Sequence, residues 1–83
     1  MISEENIKFV NILGEITEEF LSATNKFEKF NSAHEGYAIL LEEVDELWDN
    51  VKLNQDTVDR TEMIKHETIQ VAAMAIRLLY DCC

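Results

Sequence analysis

HEGYAILLEEVDELWDNVK, residues 34–52, is the stretch that decides how this chain is read. At about 100° per residue, Tyr37, Leu40, Val44, Leu47 and Val51 gather on one side and Glu35, Glu42, Glu46 and Asp49 on the other, a helical period. Five carboxylates, Glu42, Glu43, Asp45, Glu46 and Asp49, fall within the eleven residues Leu40–Asn50. Like charges one turn apart on a helix are mildly destabilising, and the chain already carries formal charge -10. A solvated acidic face accounts for this helix taken alone. A face built to receive a cation accounts for it too, and Glu43, on the boundary between the two sides, is placed to reach a second helix.

Working outward, Ser32-Ala33-His34-Glu35 fits a capping box, so the helix is predicted to start there and run to about Leu53. Upstream, Ser3 followed by Glu4 and Glu5 marks another helix start. Phe9, Leu13, Ile16, Phe20 and Phe27 then recur at near-helical spacing to about Lys29, with a loosening expected around Ser22–Asn25. Downstream, Asn54-Gln55-Asp56-Thr57 is a polar connection, and Asp59-Arg60-Thr61-Glu62 is read as the cap of a third helix reaching near the C-terminus. No repeat, linker or long strand-like alternation interrupts this pattern. Residues 1–83 are therefore predicted to form one all-α domain of three helices.

Eighty-three residues bury only about 60–65% of their unfolded surface. From Val71 to Tyr80 the third helix is apolar on nearly every side, broken only by Arg77, and such a helix is normally buried all round. Two preceding helices cannot cover it. Small Ala72, Ala73 and Ala75 permit close approach, so helical bundles formed by oligomerisation, as a homodimer or homotetramer, are expected.

Seventeen acidic against seven basic residues repel nucleic-acid backbones and anionic lipid, which argues against a polymeric nucleic-acid partner. No apolar run reaches the roughly 18 residues needed to span a bilayer, and MISEENIK does not read as a leader. A soluble, cytoplasmic protein without a membrane partner is expected. Cys82 and Cys83 are adjacent, too close for an unstrained mutual bridge, and read as free thiols of a reducing compartment.

The third helix carries the decisive residue. Glu67 projects along the line of Met63, Val71, Met74 and Leu78. A carboxylate on an apolar stripe must be neutralised, paired or metal-bound, because burying it alone costs several kcal/mol or forces protonation. A Lys or Arg from another helix is one partner to expect; a divalent cation shared with Glu42, Glu43 and Glu46 is the other. Hard oxygen ligands without a His or Cys pair favour Mg²⁺, with Mn²⁺ as a substitute, over Zn²⁺. Mg²⁺ on helix-borne carboxylates commonly also holds substrate phosphates, so phosphate chemistry follows.

Residues 34–52 and HETIQVAAMAIRLL, residues 66–79, together resemble the MazG-like all-α nucleoside triphosphate pyrophosphohydrolases, in particular the small versions of phages and bacteria. The family pattern is E-E-x-x-E on one helix and E-x-x-D on the next. Here the first half is complete as Glu42, Glu43 and Glu46, and the second reads Glu67-Thr68-Ile69-Gln70, with Gln70 in place of Asp. The resemblance implies Mg²⁺-dependent hydrolysis of a ribo- or deoxynucleoside triphosphate to the monophosphate and pyrophosphate, in control of the nucleotide pool. It implies Glu42, Glu43, Glu46, Glu67 and Gln70 around the metal, and Glu43 or Glu46 as acceptor of a water proton. A Gln carbonyl brings no charge, so fewer ions, weaker binding or contact through water is expected, and a side-chain contact with Arg77 on the same helix edge is a comparable alternative for Gln70. Two alternatives stay open: a non-catalytic bundle of the same fold, and hydrolysis of another pyrophosphate-linked metabolite.

Lys52, Lys65 and Arg77 are candidate triphosphate contacts, each set against a merely solubilising or paired role. Trp48 and Phe30 are candidate walls of a base pocket, set against core packing, which is expected for both. His34 is expected to be an exposed helix-start residue.

Overall fold

A computed structural model describes residues 3–83 as three helices, α1 (Glu4–Lys26), α2 (Ala33–Val51) and α3 (Arg60–Cys82), with no strand among the described residues. The all-α expectation holds. None of the helices is long and apolar enough to cross a membrane.

Both upstream caps form as read. The Ser3 hydroxyl accepts from the Asn6 N–H at 3.2 Å, and the Ser32 hydroxyl from the Glu35 N–H at 3.1 Å. Glu35 departs from the usual box by reaching back one residue further, to the Asn31 backbone and side-chain amides. Asp59 stands at the start of α3 but makes no side-chain cap; it sits in the left-handed region (φ 61°), which a short polar residue tolerates.

Two helix ends differ from the sequence reading, and distant residues explain both. α1 runs unbroken through Ser22–Asn25 but stops at Lys26, where Phe27 turns extended. The segment beyond is pulled onto α3: Arg77 donates to the Glu28 carbonyl at 3.0 Å, and the Phe30 N–H donates to the Asp81 carboxylate at 3.1 Å. α2 stops at Val51, two residues short of Leu53. Arg60 takes the carbonyls of Val51 (2.8 Å) and Leu53 (3.1 Å), placing a cation where the helix dipole is negative.

α3 is the central element. It packs on both other helices, whereas no Cα of α1 comes within 8 Å of one in α2. The buried apolar core is small, comprising Ala23, Phe30, Ala73 and Met74 with Phe20, Ile39, Leu40, Leu78 and Cys82 around it. Gly36 permits the α2–α3 approach: a Cβ there would stand 2.5 Å from Leu78 Cδ1 and 2.9 Å from Phe30 Cδ2. The Arg77 guanidinium lies 4.3 Å from the Phe30 ring centroid, so a shift of the ring disturbs that contact as well. Gly36→Ala gains about 1 kcal/mol of helix propensity but meets an overpacking cost of about 1–3 kcal/mol. We expect a net loss of stability, read as a lower urea midpoint at unchanged slope.

Much apolar surface stays in water. The face of α2 predicted to be covered leaves Tyr37 60%, Val44 40% and Val51 37% exposed, and Trp48, expected in the core, is 57% exposed. On α3, Leu79 and Tyr80 are also exposed, so one chain does not bury this helix all round. The radius of gyration is 14.5 Å, against about 12 Å for a compact chain of this length. The chain exposes 6386 Å², roughly 1,300 Å² more than a folded monomer of its mass.

Candidate metal centre

The α2–α3 packing carries three carboxylates to one place. Glu43 and Glu46 lie three residues apart on α2 and so share a face; Glu67 comes from α3. One carboxylate oxygen from each lies within 4.8 Å of the other two. Glu43 and Glu67 are half-buried and Glu46 is exposed. Glu67 Oε2 is buried without a hydrogen-bond partner.

No lysine or arginine pairs with these carboxylates. Among the described residues the ion pairs are Lys52–Asp49 at 3.1 Å and Lys65–Glu15 at 3.3 Å, both elsewhere. The alternative in which a Lys or Arg neutralises Glu67 is therefore not what the packing provides. Burial, then the nearby charges of Glu46 and Glu67, pushes the Glu43 carboxyl up to about 7. Glu67 is raised as well, first by burial and then by Glu46, with His66 pulling the other way. Crowding these oxygens favours the uptake of protons or of a cation. The donor set fits a hard divalent ion: only oxygens, from three carboxylates, one with a buried lone pair to spare.

The remaining predicted site residues divide. Glu42 lies outside the group of three. It lines, with Glu43 and Gln70, a cavity of about 610 Å³ whose walls come from all three helices and the α1–α2 loop. Arg77 lines the same cavity; Lys52, Lys65 and Trp48 do not. Lys52 is spent on Asp49 with its ammonium 6.0 Å from the Trp48 ring, and Lys65 ties α3 to α1. Phe30 is both core and cavity wall. Glu67 faces a second hollow with Asn50, Asp59, Glu62, Met63 and His66. The three carboxylates thus have members on both hollows, Glu43 on one and Glu67 on the other.

The cavity also brings in Lys26 and Lys29, which the sequence reading did not select. No local signal distinguishes them. They reach the cavity because α1 ends three residues early, and the residues that end it are on α3.

Comparison of the chain with protein-family models, curated proteins and solved structures gives no match.

Proposed function

We propose that the chain is a Mg²⁺-dependent hydrolase that cleaves a ribo- or deoxynucleoside triphosphate to the monophosphate and pyrophosphate. The convergence of Glu43, Glu46 and Glu67 with no ion pair to any of them carries the reading. The MazG-like spacing of Glu42, Glu43, Glu46 and Glu67 supports it. So does a cavity of about 610 Å³ with Glu43 on its wall, well inside the range of roughly 300–1,000 Å³ for small-molecule sites.

Mg²⁺ held by Glu43, Glu46 and Glu67 would offset the negative charge where the reacting phosphate meets these carboxylates, and would acidify water there. Glu42 and Gln70, which line the cavity beside Glu43, would orient it through water. The chain's own part in the reaction is to hold the α-phosphorus open to water and to accept the proton. Water oxygen bonds to phosphorus, the bond to the bridging oxygen breaks, pyrophosphate leaves, and the proton goes to a carboxylate of Glu43 or Glu46.

The same reading includes self-association as a homodimer or homotetramer. The surplus exposed surface exceeds the roughly 800 Å² per partner that a standard interface covers, and exposed Leu79, Tyr80, Trp48 and Val51 are suited to it. One observation favours a second reading, a non-catalytic bundle of this fold: Gln70 stands where the hydrolase pattern carries a charged ligand.

Pyrophosphate release from a panel of ribo- and deoxynucleoside triphosphates with Mg²⁺ decides between them. We expect metal-dependent release that falls on the order of 100-fold or more in Glu46→Ala, which removes a metal ligand. No release on any nucleotide would defeat the enzyme reading. Release only from another pyrophosphate-linked metabolite would keep the chemistry and replace the substrate.

A further inference from the structure

Arg77 is the most deeply buried charged residue of the chain, 3% exposed. In a protein with seventeen acidic residues it has no carboxylate within 4 Å. Its guanidinium rests on the Phe30 ring, donates to the Glu28 carbonyl and contacts Met74 Sδ at 3.7 Å. Its Nε is buried and donates to nothing. A buried cation with an idle donor is costly unless an anion completes it. The bond to the Glu28 carbonyl accounts for one guanidinium nitrogen and leaves Nε without a partner.

Arg77 lines the cavity of about 610 Å³ together with Lys26 and Lys29. Three of the seven basic residues thus face one space. Carboxylates line it too, but none is within 4 Å of the three cations, and Glu35 is already held by Asn31. Phe27 and Phe30 add aromatic surface.

We propose that Arg77, with Lys26 and Lys29, forms an anion site that receives the phosphates of a polyphosphate ligand and does so without metal. Arginine offers two donors in one plane to adjacent phosphate oxygens, and the lysines add charge without fixed direction. The choice of phosphate rests on the hydrolase reading above; the existence of the anion site does not.

The chain has two arginines, so two Nε–H signals appear in a ¹⁵N spectrum. That of Arg60, bonded to the Leu53 carbonyl, is an internal control. Titration of the full chain with inorganic tripolyphosphate in EDTA is expected to move the Arg77 Nε–H saturably and leave Arg60 still. Lys26→Gln with Lys29→Gln, at exposed positions that spare the core, should weaken the affinity roughly tenfold or more, the scale of one or two charge-assisted bonds. An Arg77 signal unmoved at high tripolyphosphate, or moved equally in the double variant, overturns the site. Equal or tighter binding of tricarballylate overturns the assignment to phosphate. Metal-free binding at Arg77 in a protein that releases no pyrophosphate would sink the hydrolase reading alone. Release without any Arg77 response would sink this site alone.

Discussion

Glu67→Gln is expected to give a folded protein that no longer binds Mg²⁺. In the native chain the Glu67 carboxylate is half-buried, has a buried oxygen with no partner and faces two more carboxylates. The amide is nearly isosteric, removes one charge from the group and brings two N–H donors toward the Glu43 and Glu46 oxygens. Stability at pH 8 should therefore stay level or rise, because removing a buried charge relieves its desolvation. Metal affinity should drop by on the order of 100-fold, more than loss of a residue that only orients a ligand, and hydrolysis should drop with it. Calorimetric Mg²⁺ titration reads the first effect and urea denaturation the second. Unfolding of the variant would mean that Glu67 holds the helices together through a bond, and a metal role for it would fall.

Stability should also depend on pH and Mg²⁺ in opposite senses. Glu43 holds its proton to about 7 in the folded chain, against an ordinary 4.5, and Glu67 is raised in the same direction. Below about 4.5 folded and unfolded chains are both protonated at these positions, and their contribution is full. Between there and about 7 the folded chain keeps protons that the unfolded chain gives up, so stability falls as pH rises; above that it levels off. Other groups add their own slopes, so the comparison is best made as the difference between the native chain and Glu67→Gln, which should show a weaker decline. Mg²⁺ competes with those protons. At pH 8 the ion should stabilise the fold by about 2.7 kcal/mol at 100 times its Kd, and at pH 5 by far less. Urea midpoints at both pH values, with and without Mg²⁺, read the whole cycle. Equal stabilisation by Mg²⁺ at the two pH values would place the ion somewhere other than these carboxylates.

How far such a site can be foreseen is set by the range of the interactions that make it. The starts of α1 and α2 are local: Ser3 and Ser32 bond to amides three residues on, and both are legible from the sequence. The meeting of Glu67 with Glu43 and Glu46 is nearly as legible, because a carboxylate on an apolar helical stripe must face a neighbouring helix and α2 carries the densest acidic run, although Glu42, read with them, lies outside the group. The end of α1 is not. Arg77 and Asp81 set it across about fifty positions of chain, and nothing around Lys26 announces them. Lys26 and Lys29 join the cavity as a consequence, while Lys52 and Lys65, nearer the carboxylates in sequence, turn to acidic partners outside it. By spacing Arg60 belongs only to a cap for α3; it closes the end of α2, which takes a turn geometry that spacing does not reveal. Trp48 is exposed for another reason, since one chain supplies no third layer over its face of α2.

Crystals soaked in Mn²⁺ and measured at the manganese absorption edge address the central claim most directly. We expect an anomalous peak bounded by the carboxylates of Glu43, Glu46 and Glu67. Those three side chains with no peak between them, or manganese bound only at other surface carboxylates, would contradict it.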